Sequence, residues 1–203
     1  SGELLKDKLS NTGGSAVWAN DNKTVFYTTK DPQTLRQNKI LKHVIGTDQS
    51  EDKIVFEETD ETFSCFVFKS KSDKYLMIGS RQTLSTEYRY LDANKPNGEW
   101  KVLQARENNL EYSVDHYEDH FYLRTNLDAT NFKLVKTPIN QTTKENWIDV
   151  LPHRDNVFFQ GFDLFKNFLV VQERKEGLRT VRVKTWDDSD DHYIKFSDPA
   201  YVS

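Results

Sequence analysis

Residues 15–29 hold two short apolar-rich runs: Ser15-Ala16-Val17-Trp18, with an aromatic end, and Thr24-Val25-Phe26-Tyr27-Thr28-Thr29, read as alternating through Val25 and Tyr27. Between them lies the polar stretch Asn20-Asp21-Asn22-Lys23. A period of two predicts strands, and Asp-Asn between two such runs predicts a hairpin turn. The pattern returns: the strand after the turn becomes Lys74-Tyr75-Leu76-Met77-Ile78-Gly79, then His120-Phe121-Tyr122-Leu123-Arg124, then Asn167-Phe168-Leu169-Val170-Val171. The copies lie roughly 50 residues apart, the spacing of β-propeller blades, each a four-stranded antiparallel sheet that needs neighbours to cover its faces.

Four blades can be laid out on this period. The first uses strands at 15–18, 24–29, 40–45 and 53–57, and the second strands at 63–69, 74–80, 87–92 and 100–105, with Pro96-Asn97-Gly98 turning its last hairpin. Strands at 111–115, 120–125, 132–137 and 147–151 make the third, and strands at 157–162, 168–173, 180–184 and 192–196 the fourth. Leu4 to Leu9 reads as a further short strand, followed by a turn at Asn11-Thr12-Gly13-Gly14, and Asp198-Pro199-Ala200-Tyr201-Val202 as the start of another blade. The expected organisation is therefore 1–14 as the end of a preceding blade, blades at 15–60, 61–107, 108–154 and 155–197, and 198–203 opening the next. The predicted class is all-β, with about four blades of a larger ring and both ends falling within blades. Such an open arc exposes sheet faces and predicts self-association of the isolated segment.

Composition narrows the function. Of 203 residues, 36% are hydrophobic and 13% aromatic, enough for a packed core, and only 8 are glycine and 5 proline. A net charge of −4 from 28 basic and 32 acidic residues offers no basic field, so a nucleic-acid partner is not expected. No apolar run is long enough to span a bilayer as a helix, so no membrane partner is expected either. The single cysteine, Cys65, cannot form an internal disulfide; this suits a reducing cytoplasm, with the periplasm as the alternative.

The stretch His43-Val44-Ile45-Gly46-Thr47-Asp48-Gln49-Ser50-Glu51-Asp52 resembles the loop between outer blade strands in the propeller of the prolyl oligopeptidase family of serine peptidases. Val25-Phe26-Tyr27-Thr28 with Lys30-Asp31, Phe56-Glu57-Glu58 followed by Asp60-Glu61-Thr62-Phe63, Tyr112-Ser113-Val114-Asp115-His116 leading to Phe121-Tyr122-Leu123-Arg124, and Asp198-Pro199-Ala200-Tyr201-Val202 carry the likeness further. It covers nearly the whole chain in collinear order and is greatest to the oligopeptidase B-like branch. The resemblance implies a seven-bladed propeller over an α/β-hydrolase domain, admitting short peptides and excluding folded proteins, with cleavage after Arg or Lys. It also implies that the catalytic Ser, Asp and His lie in the hydrolase domain, after the propeller in sequence. The expected partners are that domain and short basic peptides.

No Gly-x-Ser-x-Gly nucleophile elbow occurs; Gly13-Gly14-Ser15 is followed by Ala16-Val17 and sits in a hairpin pattern. No catalytic, cofactor or metal residue is therefore assigned. His116 and His120 have zinc-like spacing only on a helix, whereas Tyr117-Glu118-Asp119 reads as a turn between strands. Cys65 lies in the apolar run from Phe63 to Phe68 and reads as a core residue. Asp115 and Asp163 hold matching positions near the ends of innermost strands, where a propeller glycosidase would place its acid pair, although an Asp bonding its own turn is the simpler reading. Glu57, Glu58, Asp60 and Glu61 form an acidic cluster that could steer cationic peptides, or simply a solvated loop. The innermost strands, Trp18 included, are the candidate tunnel lining. A free-standing propeller that binds protein or peptide partners stays open as the alternative, with a propeller glycosidase behind it.

Overall fold

The computed structural model describes residues 4–196. The chain divides into two compact units, Ser1–Asn108 and Asn109–Ser203, and each carries two four-stranded antiparallel sheets in simple meander order.

The first unit opens with β1 (Thr12–Trp18), β2 (Thr24–Lys30), β3 (Gln37–Val44) and β4 (Lys53–Glu57). Its second sheet is β5 (Ser64–Lys69), β6 (Tyr75–Arg81), β7 (Thr86–Asp92) and β8 (Lys101–Gln104). The turn after β1 forms because Asp21 accepts from the backbone N–H of both Lys23 and Thr24, at 3.0 and 2.9 Å, while Asn22 takes a left-handed φ of 54°. The residues from Thr24 to Thr28 in β2 and from Leu76 to Ser80 in β6 are buried without alternation, as expected of strands covered on both faces. The outer strand β4 is more open: Lys53, Ile54 and Glu57 are exposed while Val55 and Phe56 pack against the core, and the charged ends blunt this sheet edge. The two sheets share one core, in which Ala19, Phe26 and Ile40 of the first meet Cys65, Val67, Leu76, Ile78 and Leu91 of the second. Gly79 is a point of close approach, since a Cβ there would sit 2.3–2.8 Å from the Phe66 ring.

The second unit repeats the plan with β9 (Tyr112–Tyr117), β10 (His120–Thr125), β11 (Lys133–Pro138) and β12 (Ile148–Leu151), then β13 (Phe158–Leu164), β14 (Phe168–Lys175), β15 (Leu178–Thr185) and β16 (Asp191–Tyr193). The β14–β15 turn places Glu176 and Gly177 at φ 52° and 83°, the pair of positive angles that matches strand twist in a two-residue hairpin. Its core joins Tyr122, Phe132, Leu134 and Leu151 to Phe159, Leu164, Leu169 and Val171.

The all-β class and the four-by-four sheet arrangement agree with the sequence pattern, and the strands fall within a few residues of their predicted spans. Two local expectations fail. Leu4 to Leu9 forms no strand, and Thr12-Gly13-Gly14, predicted as a turn, already belongs to β1. The physical reason is a tether by side chains: Asp7 and Ser10 bond the β3–β4 connection, and Gly13 lets β1 lie against Thr28. The strand predicted at Asp198 to Val202 lies outside the described residues.

Candidate functional site

The acidic cluster after β4 is the richest of the sequence-derived candidates, and the structure divides it. Glu58 is 3% exposed. Its carboxylate accepts from Arg106 Nη2 at 2.7 Å and Nη1 at 3.3 Å, from the Ser80 hydroxyl at 2.7 Å and from the Asp60 backbone N–H at 3.0 Å. Burial alone would raise its pKa, but the Arg106 and Ser80 bonds outweigh that and hold it below the usual range. Arg106 also reaches Glu87 at 3.4 Å and stacks 4.1 Å from the Phe63 ring centroid. Arg36 donates from Nη1 to the carbonyls of Glu58, Asp60 and Phe63.

The other three acids stay at the surface. Glu57 pairs with Lys39 at 3.2 Å, Asp60 accepts from the Thr62 N–H and hydroxyl, and Glu61 is exposed. With Arg36, Arg106 and Lys39 among them, the four carboxylates do not form a uniform negative field, and Glu58 is no part of a solvated loop. Its burial is the correction to the sequence reading. A carboxylate this deep is retained because a guanidinium and a hydroxyl meet it there.

Trp18 ends β1 at 45% exposure. Asp115 accepts from the His116 N–H at 2.7 Å, and Asp163 from Gln172 across the β13–β14 pair at 3.4 Å, so each engages its own hairpin. Two open grooves, of about 370 and 490 Å³, are lined by none of the seven candidates. Because His116 pairs with Phe121 and His120 with Tyr117, adjacent pairs in the register, the two imidazoles project from opposite faces of their sheet. His116 lies edge-on to Phe121 at 5.3 Å. Cys65 is 1% exposed, and burial and the nearby Glu58 charge push its thiol up to about 12. Among the described residues, no three His, Cys, Asp or Glu side chains group as a metal site.

Two further polar clusters went unseen in the sequence. His43, with 1% of its side chain exposed, has Asp52 2.7 Å from Nδ1 and Asp7 3.2 Å from Nε2. Carboxylates at both ring nitrogens require both to donate, which makes the ring an imidazolium. Burial opposes that charge, but the two carboxylates prevail and raise the pKa. Asp52 also accepts from Tyr27 Oη at 2.7 Å. In the second unit Glu173, 1% exposed, accepts from Arg154 and from Tyr193 Oη at 2.8 Å, while Arg182 grips Asp191 through two bonds of 2.6 and 2.5 Å. A strand signal did exist here: Glu173 shares a face with Leu169 and Val171, both buried.

All three clusters consist of carboxylates already met by donors, an arrangement suited to holding sheets together. Comparison with known proteins agrees with that architecture. The family described as "Prolyl oligopeptidase, N-terminal beta-propeller domain" matches residues 1–203. The chain is 43% identical over 201 residues to dipeptidyl aminopeptidase BI of Pseudoxanthomonas mexicana, covering 98% of the chain and 28% of the relative. It is 30% identical to protease 2 of Moraxella lacunata, covering 99% and 29%. Oligopeptidase B from Leishmania major superposes with a TM-score of 0.89 at 31% identity, over 98% of this chain and 29% of that one. The chain thus spans less than a third of the length of these relatives.

Proposed function

The chain belongs to the prolyl oligopeptidase family, as part of its N-terminal β-propeller domain, and we propose that it serves a serine peptidase as a non-catalytic wall that admits short peptides and excludes folded proteins. The observation that carries this reading is the match of the propeller family across all 203 residues. The geometry supports it, because the buried carboxylates of Glu58 and Glu173 are committed to arginines within the scaffold. In this reading the neighbour is the parent's own α/β-hydrolase domain, the compartment is the cytoplasm, and the substrates are short basic peptides cut after Arg or Lys. The 31% identity to an oligopeptidase B supports that specificity.

A second reading of the parent's chemistry comes from the relative of 43% identity, whose name describes release of dipeptides from an amino terminus. Two chromogenic anilides assayed on the full-length protein separate them. One is N-acylated and ends in Arg; the other is a dipeptide with a free α-amino group. Turnover of the acylated substrate supports cleavage after basic residues, and turnover of the free dipeptide alone supports the second reading. The wall itself is tested by size: cleavage of a folded protein as fast as a ten-residue peptide of the same sequence sinks it.

A further inference from the structure

Arg124 differs from the other half-buried arginines of the second unit. Arg154 meets Glu173, and Arg182 meets Asp191. Arg124, on β10, has no carboxylate within 4.0 Å among the described residues. Its Nε donates to the Phe159 carbonyl at 2.8 Å, its guanidinium lies over the Phe132 ring at 3.4 Å from the centroid, and Phe158 stands 5.7 Å away. Removal from water pushes its pKa down to about 10, opposed only by the more distant charge of Glu111. Glu111 itself lies 3.5 Å from the Asn126 amide.

Holding a guanidinium partly out of water without a counter-charge is unfavourable. The Phe132 ring lies against the guanidinium, the Phe159 carbonyl takes Nε, and the terminal nitrogens keep their donors. That leaves the fork geometry that grips a carboxylate with two parallel bonds. The position is open to solvent on one side, since Phe158 is 38% exposed and packs edge-on against Phe132 at 5.7 Å. An apolar wall beside an oriented cation suits a carboxylate that carries an apolar group.

We propose that Arg124 and Phe158 form a carboxylate-binding site that takes the carboxylate of a short peptide, with its neighbouring apolar side chain against Phe158. Only the peptide identity of the ligand rests on the peptidase reading; the carboxylate chemistry does not. The same chemistry could be supplied by a carboxylate elsewhere in the full-length polypeptide, and the test separates these sources.

Saturation-transfer difference NMR on the full-length protein, with 3-phenylpropionate and 3-phenylpropionamide as probes, reads binding without any catalytic step. The acid is expected to bind at least about tenfold more tightly than the amide, the factor of one charge-assisted bond pair. Arg124→Gln should abolish that preference, and Arg124→Lys should keep part of it. Equal affinity for acid and amide in the wild type overturns the proposal, including the case in which another part of the polypeptide already fills the site. A preference that survives Arg124→Gln also overturns it, by placing the carboxylate elsewhere. Should Arg124→Gln fail to fold, Arg124→Lys serves as the second variant, and an acid preference undiminished by it overturns the proposal. Loss of peptidase activity with the acid preference intact would count against the proposed function and leave this site standing.

Discussion

Glu58→Gln tests whether the acidic cluster is structural. Glutamine keeps the volume of glutamate, so no cavity confounds the result. It has one acceptor oxygen where Glu58 has two, and each of those oxygens faces an Arg106 nitrogen, at 2.7 and 3.3 Å. Whichever way the amide is turned, its NH2 confronts a guanidinium N–H. Breaking a buried pair on one side costs about 3–5 kcal/mol. Arg106 is 29% exposed and keeps Glu87 at 3.4 Å, so water and the second carboxylate offset part of this, leaving about 2–3 kcal/mol. With a urea m-value of about 2–3 kcal/mol/M, the unfolding midpoint at pH 7 should fall by about 1 M. Arg106→Gln should fall similarly, and the double variant should lose less than the sum by about 1–2 kcal/mol. The pH dependence has a definite sign. A carboxylate held below its usual pKa stabilises above the unfolded-state value, and that stability is lost as pH falls through the folded value. The deficit of Glu58→Gln should therefore shrink in acid. A midpoint within 0.2 M of wild type (about 0.5 kcal/mol by the same slope), or strict additivity in the double variant, would refute the structural account and return Glu58 to the solvated cluster.

Two other outcomes follow from contacts within the first unit. His43 has a raised pKa, so the docking of the segment around Asp7 is fully supported below the unfolded imidazole value near 6.5 and is lost as pH rises through the folded value. The Gly46 N–H, which donates to Asp7 at 2.5 Å, should lose hydrogen-exchange protection over that rise, and protection factors that stay flat up to pH 9 contradict the switch. Gly79→Ala drives a methyl into the Phe66 ring, which is held by Phe68 at 5.9 Å and Tyr88 at 6.0 Å. The expected loss is about 1–3 kcal/mol, read as a Tm several degrees lower and partly restored by Phe66→Leu; an unchanged Tm would mean that the sheet yields there.

The fold was legible because the information was local. Alternation in Val114 to His116 and turn chemistry at Asp21 each act within a few residues, and their recurrence revealed the repeat; the alternation read in Thr24 to Thr28 fails, because that strand is covered on both faces. The polar clusters were not legible, because their partners come from distant positions. Glu58 sits among Glu57, Thr59, Asp60 and Glu61, and nothing in that run distinguishes the one carboxylate that turns inward to an arginine 48 residues away. His43 is similar: Asp52 is near in sequence, but Asp7 is 36 residues distant and lies in a segment without strand structure. Glu173 marks the limit of what could have been read, since its face was predictable from Leu169 and Val171 while its partner Arg154 was not.

These clusters also explain how similar sheets keep a single alignment within each unit. Apolar faces rich in Leu, Val and Phe tolerate sliding, because burial is non-directional. Directional bonds do not. In the first unit Arg36 donates to the carbonyl of Phe63, just before β5, and Arg106 closes on Glu58. In the second, Arg124 donates to the carbonyl of Phe159 in β13, and Arg154 closes on Glu173. Each unit thus ties the start of its second sheet to its first through a guanidinium on the main chain, and adds a buried arginine–glutamate pair. Net stability from such pairs is modest, whereas a shifted register leaves a buried charge unmet, so their main effect is to select one packing over its neighbours. Arg36 and Arg124 perform the same main-chain task. Arg36 does so from Nη1, on three carbonyls, whereas Arg124 does so from Nε, on one, so the two guanidinium forks are turned differently about the same main-chain task.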